Sequence, residues 1–88
     1  MKAVVLYESG GASMETIMAV YPRHKLIVDA FAERGEVLAI GAFGGRDGSM
    51  GVFRDRQAAE AFVAQDPFVL EGLVGKIIIR DWNETLMK

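Results

Sequence analysis

Several runs in this chain are apolar at consecutive positions yet too short to be helices: Val4 beside Val5, Leu38 beside Ala39, and Ile78 between Ile77 and Ile79. Neighbouring residues of a strand point to opposite faces of a sheet, so runs like these make both faces apolar. Only two stretches carry helical spacing, and two helices cover one face of a four-stranded sheet. The other face needs a second surface. A two-fold dimer with its sheets face to face supplies one, and it adds burial to a chain of 88 residues, whose own core is small. The chain has no cysteine and one histidine, so disulfides and a structural zinc site lack their ligands. Homodimerisation through the sheet faces is therefore expected from patterning alone.

The order of elements follows from breakers and caps. Residues 2 to 8 read as a strand ending at Ser9-Gly10-Gly11. Ser13 caps a short helical turn over residues 14 to 20, and Pro22 suits the first position of a main helix that runs to Arg34 and stops at Gly35. On that helix Leu26, Ile27, Ala30 and Phe31 share the apolar face, opposite Lys25, Asp29 and Glu33, and His24 falls at the margin. Glu36 to Ala42 forms a second strand, and a glycine-rich hairpin over residues 41 to 48 leads to a third from Ser49 to Arg54. Asp55 caps a second helix with Ala58, Ala59, Phe62 and Val63 buried, ending near Gln65 and Asp66. Residues 67 to 72 have room for one more turn, and Lys76 to Asn83 forms the last strand. Strand, helix, strand, strand, helix, strand is the ferredoxin-like α+β arrangement, in one domain spanning residues 1 to 88.

Composition removes some functions. Ten Lys plus Arg against twelve Asp plus Glu, spread along the chain, leave no basic footprint for nucleic acid. The apolar run after Lys2 is too short for a signal peptide or a membrane span. A soluble cytoplasmic protein is the expectation.

His24 is the sharpest candidate for chemistry. Histidine is the side chain that ordinarily titrates near neutrality, and at the start of a helix the positive end of the dipole helps keep its ring neutral, as a general base must be. Two readings stay open at this point: a base, or a helix-terminal histidine packed by its ring edge. Asp66 is similarly double. Asp before Pro67 is a common helix cap, yet the second helix ends near the start of the first, so the carboxylate is also placed to orient His24.

Ser49 can donate a hydrogen bond into a cleft or simply open its strand. Arg23 and Arg46 can clamp a substrate carboxylate or stand solvated. Phe43 lies where a hairpin would meet a pocket mouth, and Phe68, like Tyr7, Phe53 and Trp82, belongs first to the core or dimer interface and second to the wall of an aromatic-ligand site. The glycines of residues 41 to 48 join two strands, so they are no nucleotide loop.

Several segments together resemble the YciI-like, or YCII-related, family of dimeric α+β barrel proteins. They are the apolar first strand, Pro22-Arg23-His24, the run from Gly35 to Gly41, Gly48-Ser49, Asp66-Pro67-Phe68 with Gly72, and Trp82-Asn83. The resemblance implies a homodimer and a cleft with a catalytic histidine and aspartate, matching His24 and Asp66, and a serine matching Ser49. It also implies a cofactor-independent enzyme acting on small cyclic or aromatic compounds, of lyase, isomerase or dehydrohalogenase type. The connection before Gly48 is short for such a protein, which reduces any lid and leaves the substrate open. The alternative is a non-catalytic module that holds a metabolite or docks another protein.

Overall fold

The structure is a computed structural model, and it describes all residues except Arg46 and Lys88. The elements are β1 (Lys2–Ser9), α1 (Met14–Glu33), β2 (Val37–Ala42), β3 (Gly48–Phe53), α2 (Arg56–Gln65), α3 (Pro67–Leu70) and β4 (Val74–Trp82). The strands form one antiparallel sheet in the order β2-β3-β1-β4. This is the ferredoxin-like βαββαβ fold, with α3 as a single extra turn before β4.

The largest departure from the sequence expectation is α1, a single helix of 20 residues with Pro22 inside it. Ser13 caps the whole helix, its hydroxyl accepting from the Thr16 N–H at 3.2 Å. A proline in a helix interior removes one N–H and leaves the carbonyl four residues back unpaired. Here that carbonyl belongs to Met18, and Met18 and Pro22 are both exposed, so water can take the missing bond. Gly35 ends the helix as expected, in the left-handed region at φ +74°.

Because the helix begins eight residues earlier than Pro22, its buried stripe is also different. Val20, His24 and Phe31 are buried with Ile27 and Val28 half-buried, whereas Leu26 is 68% exposed. At 100° per residue Val20, His24, Ile27 and Phe31 fall in one narrow sector, and Leu26 lies across the helix from it. His24 sits at the centre of the buried stripe, not at its margin, and it lies in the third turn, beyond the reach of the helix dipole. The expected dipole effect on its ring therefore does not apply.

On the helix-covered face, Phe31 meets Phe62 edge to face at 5.4 Å between centroids, and Phe53 meets Phe62 at 5.0 Å. Ala3, Val5, Ala58 and Ala59 close this core. The small residues on α2 let its axis come near β1, as the stripe of Ala58, Ala59 and Phe62 requires. On the opposite face the register aligns Val4 with Val52, and Leu6 with Met50 and Ile78. Trp82 continues this apolar face beside Lys2 at 45% exposure. The sheet is apolar on both sides, and within the chain only one side is covered.

Candidate active site

Three elements meet at one buried carboxylate. Asp66 ends α2 and opens α3: its N–H donates to the Phe62 carbonyl at 2.9 Å, and its Oδ1 accepts from the Phe68 N–H at 3.1 Å, with Pro67 in the first helical position. That is the capping arrangement written in Asp-Pro. Oδ1 also lies 2.7 Å from Nδ1 of His24, and Oδ2 accepts from the Tyr7 hydroxyl at 2.8 Å. Asp66 is fully buried, so each of these donors offsets the cost of holding a carboxylate away from water. Capping and orientation of His24 are performed by the same side chain at once.

The contact with a carboxylate oxygen assigns a proton to Nδ1 of His24 and leaves the lone pair of the neutral ring on Nε2. Phe68 stacks on one face of the imidazole, with centroids 4.1 Å apart and planes inclined by 15°. Phe62 meets the ring edge-on at 6.1 Å, and Tyr21 is tilted at 5.9 Å. The ring is thus fixed in tautomer by Asp66 and in orientation by aromatic neighbours. Among the described residues no buried side-chain nitrogen or oxygen lacks a partner, and none bonds to Nε2, so solvent reaches that atom.

Next to this cluster is a cavity of about 170 Å³, lined among others by Tyr7, Met14, Ile17, Ser49, Phe68 and Leu73. Ser49 stands directly across from Tyr7 in the β1–β3 ladder. Gly48 makes that approach possible: at φ +146° a Cβ there would collide with the Tyr7 carbonyl oxygen. His24 is not part of the lining. Tyr7 and Phe68 are the residues that touch both the cavity and the Asp66 cluster.

The other residues singled out in the sequence are placed elsewhere. Arg23 precedes His24 on α1, so it points away from the buried stripe, and it pairs at the surface with Glu71 at 3.6 Å. Phe43 is 41% exposed in the β2–β3 connection and does not line the cavity. The proposed clamp by Arg46 lies outside the described residues. Tyr7 reads in the sequence first as core or interface payload and second as the wall of an aromatic-ligand site; it does line the cavity, but its bond to Asp66 is not foreseen. Its signal is the alternation Ala3, Val5, Tyr7, which puts a hydroxyl on the helix-covered face at the end of β1. Burial, then the charge of Asp66 and the hydrogen bond to it, push the Tyr7 phenol well above its usual range, so it remains a donor.

Among the described residues there is no cluster of three or more His, Cys, Asp or Glu side chains able to hold a metal ion, and no helix long and apolar enough to cross a membrane.

The YCII-related domain profile matches residues 1–83. The chain belongs to the YCII-related domain family. Among solved structures, this YCII-related protein is similar to TftG, the 5-chloro-2-hydroxyhydroquinone dehydrochlorinase of Burkholderia phenoliruptrix, solved in complex with 2,5-dihydroxybenzoquinone. The two share 18% identity over 97% of this chain and 96% of that one, with a TM-score of 0.78. A hypothetical protein of Arabidopsis thaliana, solved in solution, aligns at 17% identity over 99% of this chain and 89% of that one, with a TM-score of 0.53. At such identities the likeness speaks for the fold. No curated protein matches the YCII-related chain by sequence.

Proposed function

We propose that this YCII-related protein is a small-molecule enzyme in which Nε2 of His24 takes and returns a proton on a single-ring, oxygenated substrate, with Asp66 orienting the imidazole. The observation that carries this reading is the 2.7 Å contact between His24 Nδ1 and a fully buried Asp66, with Nε2 open to solvent. A base needs its lone pair free and its other nitrogen held, and the imidazolium formed in the transition state needs a nearby negative charge.

The substrate size comes from the cavity. A dry cavity of about 150 Å³ accommodates benzene. The present one, about 170 Å³, is mostly apolar with Tyr7 and Ser49 among its lining residues, which suits one ring carrying oxygen. Ser49 then supplies a hydrogen bond to oxyanion charge. TftG, a dehydrochlorinase of a hydroxyhydroquinone that was solved with a quinone, handles single oxygenated rings of this kind. Isomerisation requires one group that removes a proton and, as imidazolium, returns it; elimination requires the same base, with chloride leaving and the imidazolium passing its proton to solvent.

A metabolite-binding role without turnover is the second reading, favoured by the absence of His24 from the cavity lining. Chloride release from 5-chloro-2-hydroxyhydroquinone by wild type and His24→Ala separates the two, together with thermal shift by 2,5-dihydroxybenzoquinone. Catalysis predicts turnover that falls about 10²- to 10⁴-fold in His24→Ala. Stabilisation by the quinone with no turnover in wild type favours binding alone.

The uncovered face of the sheet supports the second part of the proposal, a homodimer that pairs Leu6, Met50, Ile78 and Trp82 with their copies. Sedimentation velocity of the wild-type chain tests it directly.

A further inference from the structure

We infer that Tyr7 is a positioning residue of this site, whose hydroxyl, by donating to Asp66 Oδ2, governs how strongly that carboxylate draws on the Nδ1–H of His24. The inference rests on the proton-transfer reading of His24 and deepens it. Two oxygens of one carboxylate have separate clients: Oδ1 serves His24 and the Phe68 N–H, and Oδ2 serves Tyr7 at 2.8 Å. Charge donated into one hydrogen bond is withdrawn from the other, because the carboxylate is delocalised and buried away from bulk water.

The surroundings isolate this effect. Around His24 stand Tyr21 from its own helix, Phe62 from α2, Phe68 from α3 and Asp66 at their junction, with Tyr7 of β1 behind Asp66. Asp66 is the charged member of this set, and the nearby Arg23–Glu71 pair is compensated and half in solvent. The phenol itself keeps its proton, so Tyr7 acts as a neutral donor and not as a second acid. Tyr7 is also a residue that both lines the cavity and bonds to Asp66, so it joins the cavity to the dyad.

A tyrosine kept merely to fill space would be replaced by phenylalanine without consequence for the imidazole, and that difference is measurable. The chain has one histidine, so its ring signals in long-range ¹H–¹⁵N spectra need no assignment. With Tyr7→Phe the full charge of Asp66 is left to His24, the imidazolium is favoured, and the His24 titration midpoint rises by about 0.5 to 1 pH unit. An unchanged or lowered midpoint in a folded Tyr7→Phe protein overturns the inference. In a Tyr21→Phe background, 3-fluorotyrosine at position 7 makes the phenol a stronger donor with nearly the same shape, and the midpoint falls. This arm carries the test if Tyr7→Phe does not fold, and a midpoint that stays or rises there also overturns it. Neither measurement uses turnover, so loss of the catalytic reading and loss of the Tyr7 coupling are told apart.

Discussion

On the helix-covered side, β1 presents Ala3, Val5 and Tyr7; on the open side the same strand presents Val4 and Leu6. The covered side contains a buried carboxylate bonded to an imidazole and a phenol, and a cluster of phenylalanines packed around them. The open side offers mainly apolar side chains, with Arg80 opposite Val4 as a charge beside its centre, so it has no internal way to be finished. Polar groups on one face are held by directed bonds, which fix geometry. The other face is held by area, which fixes only that something apolar must cover it.

The harshest way to break this contrast is Asp66→Ala. It leaves Tyr7, the His24 Nδ1–H and the Phe68 N–H without their acceptor, and the expected loss is about 3 to 5 kcal/mol in urea or guanidinium unfolding. A loss no larger than that of an ordinary surface substitution would show that directed bonds do not hold the covered face. Leu6→Glu tests the other side: a charge in the middle of the open face is expected to shift the proposed dimer toward monomer by at least about 30-fold, or roughly 2 kcal/mol, in sedimentation equilibrium. A wild-type chain that is monomeric at the same concentrations removes the reason for that face.

A finer probe is alkaline pH. The Tyr7 phenol is held above its ordinary value of 10.0, first by burial and then by Asp66, so it stays protonated in the folded protein after the unfolded chain begins to ionise. The stabilisation is whole below pH 10 and is lost as pH rises toward the folded value. Wild-type unfolding free energy therefore falls above pH 10 with an added slope of at most about 1.4 kcal/mol per pH unit, and Tyr7→Phe lacks that component. Smallest of all is Arg23→Ala: the exposed pair with Glu71 is worth about 0.5 kcal/mol or less, and the turnover proposed for His24 is expected to be unaffected.

Much of the fold is legible in the chain. Ser13 and Asp55 as caps, Gly35 as a stop and Asp-Pro as the start of a further turn follow from local backbone chemistry, which needs no distant partner. Pro22 defies its local reading because its penalty depends on whether the orphaned carbonyl meets water, and that is settled by which face of α1 is exposed. The shift of His24 from margin to centre has the same origin, since a wheel begun at Pro22 omits Val20. His24 and Asp66 are a spacing of 42 residues apart and Tyr7 and Asp66 one of 59, so their meeting belongs to the packing of α1, α3 and β1. The pair is recognisable from residue types, whereas the third member is hidden by looking like any other aromatic in a strand.

The unbroken α1 has a mechanical meaning. Its first turn, through Met14 and Ile17, forms part of the cavity wall, and its third turn carries His24. From Ile17 to His24 the helix rises about 10 Å, at about 1.5 Å per residue. One rod therefore carries both a stretch of the cavity wall and the imidazole. Pro22 lies between the two, so a substitution that restores its N–H would change neither the wall residues nor His24 but only the helix hydrogen bond between them.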